Sequence, residues 1–316
     1  MNMKTMLIVH DVEEYRSAIE EVAEGFNVII EKDQSKWKNY VQEAEVMLGW
    51  RKEMNVEEFK NLRFLQSWSA GVDTLPLTEL KEKKVFLSTA SGVHAYPISE
   101  TIFGLLLSLT RKIHTYVRNQ LEKKWHDSGL SLELHEKTIG IIGMGAIGKE
   151  TAKIAKAFNM KTLGLRHSGK EEKYVDEMYT TKDLPSFLPH CDYVVITLPL
   201  TEDTHGMFGE EQFKQMKNSA FLVNIGRGEL VRERELIHAL QNAEIAGAGL
   251  DVFEQEPLEE NSPLWELPNV IVTPHTSGAT EYYAKRVVED IFLPNVKDYL
   301  SGKTPSINTV DYEKGY

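Results

Sequence analysis

Arg227, Glu256 and His275 are residues of the types that proton and hydride chemistry on an anionic carbonyl compound requires. Each follows a short apolar run that predicts a buried strand, at 221–225, 248–253 and 270–273. In open α/β sheets, ligands bind past the carboxyl ends of the strands. The spacing therefore predicts one shared edge for all three. An arginine there offers a planar, permanently charged fork of donors. It can hold a carboxylate and stabilise negative charge developing on a carbonyl oxygen. Histidine, with an unperturbed pKa of about 6.5, can supply the proton. A carboxylate beside it would pair with the ring and orient it. Taken singly, each residue reads equally well as a surface charge on a strand-end loop. The case for function rests on the surrounding segments.

Two series of strands are predicted to position these residues. The first hundred residues alternate apolar runs (6–9, 28–30, 46–50, 64–68 and 85–87) with polar or amphipathic segments. That pattern implies a parallel sheet flanked by helices. A second alternation runs through 138–142, 162–165, 193–198, 221–225, 248–253 and 270–273. Helices are expected at 149–158 and 231–240. Six strands with crossover helices fit a doubly wound dinucleotide-binding domain. The apolar segment 97–118 reads as one long helix between the domains, and 281–300 as a last helix folding back on the first. The expected fold is therefore α/β, with two doubly wound parallel-sheet domains. One is a Rossmann cofactor domain (98–284). The other is a smaller flavodoxin-like substrate domain (1–97 plus 285–316).

The clearest motif is Gly143-Met144-Gly145-Ala146-Ile147-Gly148, which ends one predicted strand and opens a helix. That context suits dinucleotide binding. Gly143 allows the tight turn, Gly145 lets pyrophosphate approach the backbone, and Gly148 permits close helix–strand packing. The helix N-terminus adds amide donors and a favourable dipole. An NAD site usually carries Asp or Glu about 20 residues past the motif to bind the ribose. Here the sequence is Arg166-His167-Ser168-Gly169-Lys170. A basic segment favours a 2′-phosphate, so NADP(H) is expected, with NAD(H) still open.

Composition bounds the possibilities. The chain has 316 residues, 41% hydrophobic and 27% charged, which suits a globular protein of two domains. A net charge of −12 argues against nucleic acid or an anionic membrane as the main partner. The single cysteine, Cys191, excludes an internal disulfide and a cysteine-zinc cluster. It precedes an apolar strand and reads as structural; no metal site is expected. The longest apolar stretch, 102–109, is too short to span a bilayer, and no signal-peptide pattern opens the chain. These features predict a cytoplasmic enzyme acting on a small molecule.

Taken together, the segments 69–73, 143–148, 198–201, 224–228, 249–257 and 273–275 resemble the D-isomer-specific 2-hydroxyacid dehydrogenase family over nearly the whole chain. The basic segment looks like that of the NADPH-dependent glyoxylate/hydroxypyruvate reductases. The resemblance implies that Arg227 binds substrate, His275 donates the proton and Glu256, rather than Glu254, pairs with the histidine. It implies that the Ala70 and Gly71 amides hold the substrate carboxylate and that Asp251 contacts the nicotinamide carboxamide. Leu198, Pro199, Thr204 and Gly278 fall in segments resembling cofactor-lining loops. His94 replaces an asparagine common in the family and is expected to line the cleft. Trp50 and Arg51 follow a predicted strand of the first domain, and a bulky Trp50 would favour small 2-oxo acids. The region of Trp125 and His126 corresponds to a dimer arm in relatives, so a homodimer is expected. Two other readings stay open: a D-lactate-type or broad-specificity 2-oxo acid reductase, and a non-enzymatic nucleotide-sensing scaffold.

Overall fold

The computed structural model describes residues 4–72 and 74–312. Asp73, which follows the Ser69-Ala-Gly-Val segment, lies outside them. The chain forms two compact units, Met1–Val93 with Thr280–Tyr316, and His94–Ala279. The unit boundaries fall a few residues earlier than the expected domain boundaries on both sides.

The first unit holds a five-stranded parallel sheet: β1 (Lys4–Ile8), β2 (Phe26–Ile30), β3 (Ala44–Leu48), β4 (Phe64–Gln66) and β5 (Phe86–Ser88), in the order β2-β1-β3-β4-β5. Its apolar runs are continuous because both faces are buried. Leu7, Val9, Met47 and Leu65 enter one core; Met6, Ile8, Val46 and Phe64 enter the other. The second core is closed by Val287, Val288, Ile291, Phe292 and Val296 from the end of the chain.

The second unit holds a seven-stranded parallel sheet: β6 (Thr138–Ile142), β7 (Lys161–Leu165), β8 (Glu177–Tyr179), β9 (Tyr193–Ile196), β10 (Phe221–Asn224), β11 (Gly247–Leu250) and β12 (Val270–Val272). The order is β12-β11-β10-β9-β6-β7-β8. Two doubly wound parallel-sheet units are therefore present. The expected count of six strands in this sheet is corrected to seven. Glu177-Met-Tyr179 forms an edge strand that is only partly buried, so it needs no apolar run and leaves none in the sequence.

Two helical expectations are also corrected. The segment 97–118 is not one helix: Ala95–Thr110 ends before Lys112, which adopts a left-handed φ of 52°, and Ile113–Leu121 starts anew. The first of these packs Ile102, Leu105, Leu106 and Leu109 into the core. The second buries none of its residues. The final helical run is Tyr283–Lys285, a π-helical stretch Arg286–Phe292, and Leu293–Leu300. Pro294 has no N–H and its ring crowds the preceding turn; a widened π turn accommodates that interruption. Among the described residues no helix is long and apolar enough to cross a membrane. Cys191 is buried, and burial pushes its thiol up to about 12, which makes it an inert packing group.

Candidate active site

Strand register builds the site of the second unit. Ile142 pairs with Leu165 and with Ile196, Ile196 with Asn224, Asn224 with Leu250, and Leu250 with Val272. The next residue of each strand therefore lies on one carboxyl edge: Gly143, Arg166, Thr197, Ile225, Asp251 and Thr273. Strand order reverses between β9 and β6, the switch point at which such sheets bind dinucleotides.

The glycine turn has the geometry that a dinucleotide needs. Gly143 has φ +107°, and a Cβ there would meet the Thr197 carbonyl carbon at 2.9 Å. A Cβ on Gly148 would lie 2.1 Å from the Gly143 carbonyl oxygen, so helix and turn touch through backbone alone. A Cβ on Gly145 would meet nothing within 4 Å, which leaves open approach to the backbone. Gly145 caps the helix Ala146–Ala157 with no side-chain hydrogen bond, so first-turn amides remain for an anion. Ala146 is exposed and Ile147 half-buried, while Met144 turns its side chain into the core. Only the Met144 backbone is on offer to a ligand. These residues fit the pyrophosphate of a nicotinamide dinucleotide.

The basic segment after β7 is organised around Arg166. Arg166 Nη2 donates to the carbonyls of Lys170 (2.5 Å) and Glu171 (3.2 Å), and Nη1 pairs with Glu172 at 3.5 Å. Lys149 also pairs with Glu172, at 2.8 Å, and holds that carboxyl below its ordinary range. Arg166 thus shapes its own loop, while His167, Ser168 and Lys170 stand exposed. On the neighbouring loop, Thr204 Oγ1 donates to the Pro199 carbonyl and accepts from the Thr201 amide, each at 2.8 Å. Those bonds fix the turn after Leu198.

Arg227 sits on a turn locked by Asn224, which is buried. Asn224 Oδ1 accepts from the Gly226 amide (3.1 Å) and Nδ2 donates to the Arg227 carbonyl (3.0 Å). The Arg227 side chain is exposed, with Nη1 donating to the Gly226 carbonyl at 2.7 Å. Gly228 then packs backbone to backbone, since a Cβ there would lie 1.9 Å from the Phe253 carbonyl. This contact ties the arginine turn to the loop that carries Glu256.

His275 Nδ1 and Glu256 Oε2 are 2.7 Å apart. The other Glu256 oxygen, Oε1, accepts from the Phe253 amide at 3.1 Å. Glu254 faces elsewhere: it and Glu233 exchange carboxylate-to-amide hydrogen bonds of 3.1 and 3.3 Å. Glu233 is itself pushed above the usual carboxylate range by burial. His275 has a left-handed φ of 52°, and the fully buried Asp251 holds the loop around it. Asp251 accepts from Thr273 Oγ1 (2.6 Å) and from the amides of Thr276 (3.1 Å) and Ser277 (3.0 Å). His94 Nδ1 lies 2.9 Å from the Gly278 carbonyl and braces the same loop.

The geometry thus brings together Glu256, His275 and, through its loop, Asp251. Arg227 shares their edge without a hydrogen bond to Glu256 or His275 among the described residues. Asn224 and Thr273 were not singled out from sequence; their position directly at strand ends beside Arg227 and His275 was the available signal. In the first unit, Ala70 and Gly71 are exposed, and neither amide donates to a protein acceptor among the described residues. Arg51 Nη2 donates to the Val9 carbonyl at 2.6 Å, so this arginine props β1. Trp50 is half-buried beside Phe59 and lines a cavity of its own unit.

Known proteins resemble this chain in sequence and in fold. Residues 103–277 match the family model described as "D-isomer specific 2-hydroxyacid dehydrogenase, NAD binding domain". Glyoxylate/hydroxypyruvate reductase B of Escherichia coli (strain K12) is 37% identical over 271 residues, covering 83% of each chain. A D-isomer specific 2-hydroxyacid dehydrogenase family protein from Aeromonas salmonicida subsp. salmonicida A449 superposes with a TM-score of 0.83 at 32% identity, over 98% of this chain and 100% of that one. An NADPH-dependent glyoxylate/hydroxypyruvate reductase from Sinorhizobium meliloti, solved with NADP and sulfate, gives a TM-score of 0.80 at 28% identity, over 99% and 100%. With a glycine turn for a dinucleotide and a carboxylate-paired histidine on one sheet edge, the chain belongs to the D-isomer specific 2-hydroxyacid dehydrogenase family of oxidoreductases.

Proposed function

We propose that this protein reduces small 2-oxo acids of the glyoxylate/hydroxypyruvate type to D-2-hydroxy acids, with NADPH as the preferred cofactor. The observation that carries the reading is the 2.7 Å pair of Glu256 and His275 on the edge that also bears Arg227 and the glycine turn. Similarity to glyoxylate/hydroxypyruvate reductase B supports the substrate class. The exposed His167, Ser168 and Lys170 support the cofactor preference, with Arg166 holding their loop in shape.

Bound nicotinamide supplies the hydride. Arg227 binds the substrate carboxylate and carbonyl oxygen and orients the carbon between them. In the first unit, the exposed Ala70 and Gly71 amides are suited to hold a carboxylate. As negative charge develops on the carbonyl oxygen, the guanidinium stabilises it. Because Glu256 occupies Nδ1, the ring nitrogen free to give its proton to that oxygen is Nε2. Oxidation of the hydroxy acid reverses each role. Homodimer formation belongs to the same proposal. Ile113, Val117 and Leu121 are exposed at helical spacing, and Trp125 is exposed just past the helix, together an apolar surface suited to a second copy.

The test is a panel of kcat/KM values for glyoxylate, hydroxypyruvate, pyruvate and phenylpyruvate with both cofactors. The expected order places the two smallest polar acids and NADPH first. His275→Ala should cost about three decades of kcat and leave NADPH affinity nearly unchanged. Wild-type-like turnover by that variant would remove His275 from the mechanism. A flat panel would favour a broad-specificity reductase.

A further inference from the structure

The segment after β7 carries no carboxylate before Glu171, yet the fold brings one to the same edge. Glu172 is largely buried, and its Oε2 sits between two cations, Lys149 Nζ at 2.8 Å and Arg166 Nη1 at 3.5 Å. Its Oε1 accepts from the Lys173 amide at 3.2 Å. Lys149 holds this carboxyl below its ordinary range, so the group between the cations is an anion. Glu171, by contrast, is exposed and offers Arg166 only its backbone carbonyl.

Both cations come from elements that a dinucleotide would touch. Lys149 closes the first turn of the helix Ala146–Ala157, its amide donating to the Gly145 carbonyl at 3.0 Å. Arg166 directly follows β7, where the Leu165 carbonyl accepts from the Gly143 amide at 2.9 Å. In such sheets the pyrophosphate rests on the helix N-terminus and the adenosine ribose at the end of the next strand. Glu172 therefore stands beside the ribose edge. It does not satisfy both of its partners. A separation of 3.5 Å is long for a charge-assisted hydrogen bond, which usually measures about 2.7–2.9 Å. Arg166 Nε is buried and has no hydrogen-bond partner among the described residues. One carboxylate charge thus faces two cations, and the arginine is short of acceptors. A phosphate monoester brings nearly two charges and three acceptor oxygens. A ribose hydroxyl brings no charge with which to compete for Lys149.

We propose that Glu172 is a resident counter-anion in the seat of the cofactor 2′-phosphate, and that it sets how strongly the protein prefers NADPH over NADH. The inference rests on the reading of the basic loop as a 2′-phosphate site. Lys149 Nζ and Arg166 Nη1 turn from Glu172 to the phosphate, and the carboxylate gives way. Arg166 Nη2 stays on the carbonyls of Lys170 and Glu171, so the loop keeps its shape. Binding NADPH breaks two ion pairs and brings two anions together, whereas binding NADH does neither. Glu172 is therefore a specificity-determining residue that moderates the preference its two cations create.

The test is calorimetric titration of the whole protein with 2′-phosphoadenosine 5′-diphosphoribose and with ADP-ribose, which lack nicotinamide and carry no hydride. Glu172→Gln keeps an acceptor for the Lys173 amide and loses the charge. Its ratio of affinities, phosphorylated over unphosphorylated, should rise about tenfold above wild type. An unchanged ratio overturns the proposal. So does a fall, which would make Glu172 a brace of the basic loop and no competitor of the phosphate. If Glu172→Gln does not fold, Lys149→Met decides: the ratio should drop about threefold or more, and an unchanged ratio sinks the proposal. A wild type that binds both fragments alike would refute the NADPH preference, and a rise in Glu172→Gln would still uphold the role of Glu172.

Discussion

At the scale of single residues, the buried Asp251 does the most to hold His275 in place. Its two oxygens accept from Thr273, Thr276 and Ser277, so its carboxylate is committed to the loop on both sides of the histidine. Asp251→Asn would turn an amide N–H toward one of those donors. The expected cost is about 1–3 kcal/mol of stability for the unsatisfied group, with a fall in kcat larger than the change in KM. Urea unfolding and steady-state kinetics check this together; unchanged stability would mean that the loop is held by other contacts. Sequence was informative about Arg227, Glu256 and His275 because charged residues after apolar runs are conspicuous. It was silent on Asn224 and Thr273. Their work is hydrogen bonding to neighbouring backbone and side chains, and short polar residues do that in every loop. Nor could it tell that the Arg166 guanidinium turns back onto its own loop, because residue type does not report direction.

At the scale of elements, the parallel strands were legible wherever both faces are buried, as in Met6–Val9 and Thr138–Ile142. They were illegible at β8, where Glu177 and Tyr179 lie at a sheet edge and alternate with nothing apolar enough to show. The break at Lys112 left no proline or glycine to mark it, and the π-helical stretch before Pro294 is a response of the backbone that no residue pattern spells out. The element contact with the most consequence is that of Gly228 against Phe253. In Gly228→Ala the new methyl meets carbonyl atoms at 1.9 Å, so the two loops must part. Stability should drop by about 2–4 kcal/mol. The kcat should drop at least about a hundredfold, because Arg227 and Glu256 then move apart. NADPH affinity should change little, since the glycine turn on β6 is untouched. A titration of intrinsic fluorescence with NADPH beside the kinetic measurement separates the two effects. A parallel loss of binding would show that the glycine turn senses the same strain.

At the scale of the whole molecule, the apolar stripe on the helix Ile113–Leu121 and at Trp125 sets an expectation for assembly. The wild type should sediment as a dimer, and a Leu121→Asp, Trp125→Asp double variant as a monomer at the same concentration. Identical sedimentation would move the interface elsewhere. The covalent path has a different consequence. The chain leaves the first unit after Val93, builds the second, and returns only at Thr280. Val287, Val288, Ile291, Phe292 and Val296, which cover one face of the first sheet, are thus made only after the whole second unit. During synthesis the five strands emerge first, yet Met6, Ile8, Val46 and Phe64 wait for their cover while nearly two hundred residues are added. An uncovered apolar sheet on the ribosome is prone to aggregate. The inserted unit can close on its own contacts in that interval. The first one keeps that face uncovered until its closing helix appears.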